Sequence, residues 1–277
     1  MCGFAGFLGY GDLRPEDAQS VVIRMGDAIA HRGPDDFDVW RDDPAQVVLV
    51  HRRLSILDLS PAGHQPMLSP SERFVIALNG ELYNHLELRH ALPSVTWRGH
   101  SDTETMLAGI EAWGLEVTLK RSVGMFALAL WDRQDRVLYL ARDRMGEKPL
   151  YYGWQRGVFL FGSDLKALKV HPAFVGEIDR DAMALLLRHN YIPAPYSIYR
   201  GLRKLPPGQV LRLNASVMTP GAPAEGRGEQ LGAYWSFAAM AERQRADPFA
   251  GSDTEAVTAL DALLRDAVAR QMVADVP

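Results

Sequence analysis

The sequence predicts an α+β fold. Apolar strands follow one another in pairs, and helical segments fall between the pairs and not after every strand, as an alternating parallel sheet would require. Residues 125–132 and 137–142 make one pair across the polar hairpin Asp132-Arg133-Gln134-Asp135, and residues 150–154 and 158–162 repeat the arrangement. The 277 residues are 47% hydrophobic and 23% charged, enough for the core of one large domain or of a domain and part of a second.

Taken in order, residues 4–8 are an apolar run between glycines and read as a strand. Residues 15–30 carry Val21, Val22, Met25 and Ile29 at helical spacing, and His31-Arg32-Gly33-Pro34-Asp35 ends that helix. Residues 47–50 and 54–58 read as strands flanking His51-Arg52-Arg53. Residues 74–78 form a strand that runs into Asn79-Gly80, a turn dipeptide. Residues 84–92 and 101–113 read as helices, the second opened by Ser101-Asp102-Thr103-Glu104 with capping-box spacing. Asp179 is placed to N-cap a helix through His189. Leu205-Pro206-Pro207-Gly208 precedes a strand at 210–213, and residues 214–233, rich in Gly, Ala and Pro, read as a surface linker. Ser252-Asp253-Thr254-Glu255 is a second capping box, opening a helix with Val257, Leu260, Leu264, Ala267 and Val268 on one face.

Several function classes are excluded early. The net charge of −4 does not suit an electrostatic grip on nucleic acid or anionic lipid. The longest apolar run, residues 124–131, is far short of the ~20 residues of a membrane span. The N-terminus lacks the basic and apolar regions of a signal peptide, so the expectation is a cytoplasmic chain without membrane or nucleic-acid partners. One cysteine excludes a disulfide framework and a cysteine-based zinc site, and the eight histidines include no His-x-x-x-His pair, so no metal site is expected.

That cysteine is Cys2, next to the start methionine. Removal of Met1 would put a thiol and a free α-amine on one residue. An α-amine titrates near pH 7.7–8.0, roughly half neutral near physiological pH, and can serve as the base for its own thiol. Attack on a carbonyl also needs donors for the oxyanion, which Asn79 and Gly80 could supply. For an amino-acid substrate, Arg53 offers a fork for a carboxylate, while Glu81 and Asp102 offer charge for an ammonium. Each has a plainer reading: an inert buried cysteine, a hairpin turn, a solvated arginine, and an acid in the first turn of a helix.

Met1-Cys2-Gly3-Phe4-Ala5-Gly6, His31-Arg32-Gly33-Pro34-Asp35, His51-Arg52-Arg53-Leu54-Ser55-Ile56 and Leu78-Asn79-Gly80-Glu81-Leu82-Tyr83-Asn84-His85 stand in this order, followed by Ser101-Asp102-Thr103-Glu104, Gly124-Met125-Phe126-Ala127 and Ala141-Arg142-Asp143-Arg144-Met145-Gly146. Together they resemble the class II, N-terminal-nucleophile glutamine amidotransferase domain of the glutamine-hydrolysing asparagine synthetases. The resemblance implies a four-layer αββα fold with Cys2 at the end of a central strand. It implies that Cys2 is nucleophile and base, that Asn79 and Gly80 form the oxyanion hole, that Arg53 holds the glutamine α-carboxylate and that Glu81 and Asp102 hold its ammonium. Backbone groups around Leu54 and Ile56 frame the pocket, and Arg32 lies beside the nucleophile.

The resemblance further implies glutamine hydrolysis to glutamate and ammonia, with the ammonia feeding ATP-dependent conversion of aspartate to asparagine. The glutaminase half needs no cofactor; ATP and Mg belong to a synthetase domain, and family members often pair as homodimers. Residues 1–213 correspond to the glutaminase domain, 214–250 to a linker and 251–277 to the first helix of an α/β synthetase domain. The family's Ser-Gly-Gly-x-Asp-Ser loop for the ATP pyrophosphate does not occur in the chain, so the apolar face of that helix is expected to lie exposed. Two alternatives stay open: the same chemistry feeding another carboxylate such as a sugar acid, and a non-catalytic fragment.

Overall fold

A computed structural model describes residues 2–215 and 228–276. Its organisation follows from burial with a period of two. β1 (Gly3–Leu8) is buried along its length. Phe4 and Leu8 enter one apolar cluster, while Ala5 and Phe7 enter another, the division expected of a strand covered on both faces. In β3 (Val47–Arg53), Val47 and Leu49 join the first cluster and Val48 and Val50 the second. In β5 (Phe74–Leu82) and β6 (Gly124–Asp132), Val75, Ala77, Ala127 and Ala129 share the first cluster with β1, and Ile76, Leu78, Leu128 and Leu130 enter a third.

The first cluster is therefore the filling between two stacked sheets. One sheet has six strands in the order β10 (Leu202–Lys204), β8 (Tyr151–Gln155), β9 (Val158–Gly162), β1, β3, β2 (Asp36–Asp42). The other runs β12 (Glu229–Ala233), β11 (Gln209–Asn214), β7 (Val137–Arg142), β6, β5, β4 (Met67–Leu68). Neighbouring strands pair antiparallel throughout both sheets. Outside the first sheet, α1 (Pro15–Asp27) contributes Val21, Val22 and Met25, and α5 (Leu165–Lys169) contributes Ala167 and Leu168. Outside the second, α2 (His85–His90) contributes Leu88, α3 (Asp102–Trp113) Met106, Leu107 and Ile110, and α4 (Leu115–Arg121) Leu119. The layers are helix, sheet, sheet, helix, the α+β architecture the sequence predicts.

Later helices are α6 (Arg180–His189), N-capped by Asp179 as expected, α7 (Phe237–Ala246) and α8 (Asp253–Gln271). Ser252 and Glu255 make the full reciprocal capping box at α8. At α3 only half forms: Ser101 Oγ accepts from Glu104 N, but the Glu104 carboxylate accepts from Arg98 N and Gly99 N instead. α8 has no buried residue, and Val257, Leu260, Leu264 and Val268 are each more than half exposed. No helix among the described residues is long and apolar enough to cross a membrane.

Three local expectations are corrected. Asn79-Gly80 is not a turn: β5 continues through it, with Asn79 opposite Ala127 and Gly80 opposite Phe126. The glycine is needed for close strand approach, since a Cβ there would lie 2.2 Å from the Met125 carbonyl oxygen. Residues 54–58 are not a strand, because the chain turns out of the sheet and Asp58 takes a left-handed φ of 59°. In the stretch read as linker, residues 216–227 lie outside the described residues, while Glu229–Ala233 pair with β11 as an edge strand. Such pairing overrides a composition poor in strand formers.

Candidate active site

The period of two that sends Phe4 and Leu8 between the sheets carries Cys2 to the same side at the mouth of β1. In β5 the period of Val75 and Ala77 carries Asn79 and Glu81 inward. The first turn of α3 adds Asp102, and the chain leaving β3 adds Arg53, Leu54 and Ile56. With Gly80, between Asn79 and Glu81, these make eight residues, and all eight line one cavity of about 300 Å³.

Cys2 sits against Leu54. The Leu54 amide donates to Sγ at 3.3 Å, and the thiol donates to the Leu54 carbonyl at 3.4 Å. Burial pushes the Cys2 thiol up from its ordinary 9.0; the Leu54 amide pulls it down and Asp102 adds to the rise. At neutral pH the sulfur keeps its proton and needs a base to become a nucleophile. Arg32, which donates from Nε to the Cys2 carbonyl at 3.1 Å, fixes the backbone of this residue.

Asn79 is fully buried. Its Nδ2 reaches Ser163 Oγ at 3.5 Å, a contact long enough to be exchanged for a better acceptor. Ser163 is itself stitched to β1: Phe4 N donates to Ser163 Oγ at 3.2 Å, and Ser163 N donates to the Phe4 carbonyl at 2.9 Å.

The Arg53 guanidinium organises the loop around it. Nη2 donates to the carbonyls of Leu57 at 3.1 Å and Asp58 at 2.5 Å, and Nη1 to that of Ser60 at 3.4 Å. This inward demand for carbonyls bends residues 54–58 away from the strand the sequence suggests. Asp102 is buried, and its carboxylate accepts from Leu82 N at 2.9 Å and Thr103 N at 2.8 Å. Burial raises the Asp102 carboxyl against the pull of those amides. Glu81 is raised by burial and then by the charge of Asp102. Two carboxyls raised in one cavity mark a place where a cation would be welcome.

Seven further residues line the cavity, and two of them, Gln65 and Lys148, bring polar side chains from outside every motif quoted above. Gln65 bridges the walls, accepting from Leu78 N at 2.7 Å and donating to Thr103 Oγ1 at 3.1 Å. Lys148 is nearly buried; burial pushes its ammonium down, while the charges of Glu81 and Cys2 pull it back up. Lys148 follows the Ala141–Gly146 motif by two positions, the one feature that could have pointed to it; nothing in the sequence marks Gln65. A larger cavity of about 510 Å³ lies outside the second sheet between α4 and β11–β12, among Trp113, Tyr139, Leu231 and Tyr234. It holds none of the eight residues.

Comparison with known proteins adds the family and the fold. The family described as "Glutamine amidotransferase domain" matches residues 1–222. The chain is similar to asparagine synthetase [glutamine-hydrolyzing] 3 of Bacillus subtilis, 33% identical over all of this chain and 42% of that protein. It is also similar to a putative asparagine synthetase [glutamine-hydrolyzing] of Mycobacterium tuberculosis, 36% identical over all of this chain and 43% of that protein. The chain thus spans about two fifths of these relatives' length. Among solved structures, the glutamine phosphoribosylpyrophosphate amidotransferase of B. subtilis superposes with a TM-score of 0.61 at 17% identity, covering 84% of this chain and 49% of that one. At that identity the likeness establishes the fold alone, two stacked antiparallel sheets between layers of helices. The family match over residues 1–222 carries the conclusion: the chain belongs to the glutamine amidotransferase domain family.

Proposed function

We propose that this chain is the glutamine-hydrolysing part of an asparagine synthetase, acting in the cytoplasm. One observation carries the reading: a thiol, a buried amide, a guanidinium and two raised carboxyls line a single cavity large enough for an amino acid. The charges suit a zwitterion, with Arg53 toward the α-carboxylate and Glu81 and Asp102 toward the α-ammonium. Leu54 and Ile56 frame the side chain, and Asn79 and Gly80 receive the oxyanion.

With Met1 removed, the Cys2 α-amine takes the thiol proton as Sγ attacks the glutamine side-chain carbonyl. The C–N bond breaks, the proton passes to the departing nitrogen, and ammonia leaves a thioester. Water then adds, releasing glutamate and restoring the thiol. The ammonia is consumed in the ATP-dependent conversion of aspartate to asparagine. The relatives named for that reaction support this acceptor over a sugar acid. The joint presence of all eight residues speaks against a non-catalytic fragment.

ATP and Mg do not fit the residues present. No Ser-Gly-Gly occurs in the sequence, and among the described residues no group of three His, Cys, Asp or Glu side chains is placed to hold a metal ion. Neither enters glutamine hydrolysis; both would act with aspartate in a synthetase domain that α8 begins. The amidotransferase unit, residues 1–213, gains β12, and the remainder of 214–250 leads to α8. Light scattering tests pairing into a homodimer. The function itself is tested by conversion of glutamine to glutamate, with Cys2→Ala as control and mass spectrometry of the N-terminus to establish loss of Met1. A processed chain that leaves glutamine intact overturns the reading.

A further inference from the structure

Two walls of the cavity come from separate parts of the chain. The loop after β3 supplies Leu54, Ile56 and Leu57, and the start of α3 supplies Ser101, Asp102 and Thr103. Asp58 joins them. Fully buried, it accepts from Ser60 N at 3.1 Å, Ser60 Oγ at 2.5 Å and His100 N at 2.7 Å, while its carbonyl accepts from Arg53.

A third piece of chain closes on this joint. Asp275, four residues beyond α8, donates from its backbone N to the Ile56 carbonyl at 2.9 Å. Its Oδ2 accepts from Asp58 N at 2.7 Å and lies 2.7 Å from His100 Nε2. One residue therefore holds both walls, two positions from Asp102 on one side and at Ile56 itself on the other. Core packing does not explain the contact, because α8 buries no residue. Behind it, Arg270 meets Glu87 at 2.7 Å, a second polar fastening of α8 to the body of the fold.

We propose that Asp275 is a positioning residue for the glutamine pocket: it sets the distance between the two walls and so transmits the placement of the segment after α8 to the substrate site. Loss of its carboxylate frees the Asp58 amide and lets the Leu54–Asp58 loop open, which weakens the Leu54 contacts to Cys2. The inference rests on the glutamine-hydrolysis reading.

The test uses the whole chain carrying Asp275→Ala. The expected result is a KM for glutamine raised about tenfold with kcat within about threefold. The melting temperature should move by no more than about 2 °C, since no core contact is lost. Asp275→Asn, whose side-chain oxygen still accepts from Asp58 N, should restore most of the KM. His100→Ala should share the effect and add little to Asp275→Ala in the double variant. An unchanged KM in Asp275→Ala overturns the proposal while leaving glutamine hydrolysis standing. If the wild-type chain does not hydrolyse glutamine, the function fails first, and the latch is read from iodoacetamide alkylation of Cys2. That rate should rise about tenfold in Asp275→Ala; an equal rate overturns the latch independently.

Discussion

The Nε2 of His51 lies 2.9 Å from the carbonyl oxygen of Leu78, the residue before Asn79, and fastens one sheet to the other behind Cys2. His51 stands opposite Phe4 in the β1–β3 pairing, so this bond sets the strand of the proposed nucleophile against that of the proposed oxyanion donor. Burial pushes the imidazole from 6.5 to about 4, so it is neutral and donates from Nε2.

Acid should therefore unfold the protein through its buried histidines. His51 and His171 are both pushed down to about 4 by burial. The unfolded chain takes up their protons first, so stability present above pH 6.5 is lost as pH falls toward 4, on the order of 3 kcal/mol for each histidine. Thermal melts from pH 7 to 4 check this. His51→Gln, which keeps a donor for Leu78, should flatten the profile, and an unchanged slope would count against the buried neutral histidine.

Asn79→Ala should lower kcat by ~10²–10³ and leave KM near its original value, because the donor acts on charge that develops in the transition state. Steady-state kinetics decide it. A KM effect alone would make Asn79 a binding group.

Arg53→Lys should damage both fold and binding. An ammonium cannot reach the carbonyls of Leu57, Asp58 and Ser60 together while presenting a fork to a carboxylate. The melting temperature should drop with a loss of about 1–3 kcal/mol from stranded carbonyls, alongside a raised KM.

Glutamine affinity should fall with pH. Glu81 and Asp102 are raised, so they take protons at higher pH than ordinary carboxyls and lose their attraction for the ammonium. Protection of Cys2 from alkylation by added glutamine measures the affinity. In Asp102→Asn, removal of the neighbouring charge lets Glu81 ionise more readily, moving the midpoint to lower pH; an unshifted midpoint would remove Glu81 from the ammonium site.

Most of the sheet framework was legible because both faces of β1, β3, β5 and β6 are buried, giving uninterrupted apolar runs. The site residues were legible as a set through motif order and unreadable singly. Asn79-Gly80 has turn chemistry, and only its pairing with Ala127 and Phe126 holds it in a strand. The loop 54–58 has strand composition, and the guanidinium of Arg53 turns its carbonyls inward. β12 and the wall contacts of Gln65 depend on partners far along the chain and leave no local pattern.

α8 poses a choice for anyone who wishes to work with a shorter protein. Ending the chain before Ser252 removes the bare side chains of Val257, Leu260, Leu263 and Leu264, and with them a sticky surface. The same cut discards Asp275 and its hold on Ile56, Asp58 and His100. Good behaviour in solution and a well-formed substrate site pull the boundary in opposite directions. A version soluble enough to study should bind glutamine more weakly than its parent unless the lost carboxylate is replaced from elsewhere.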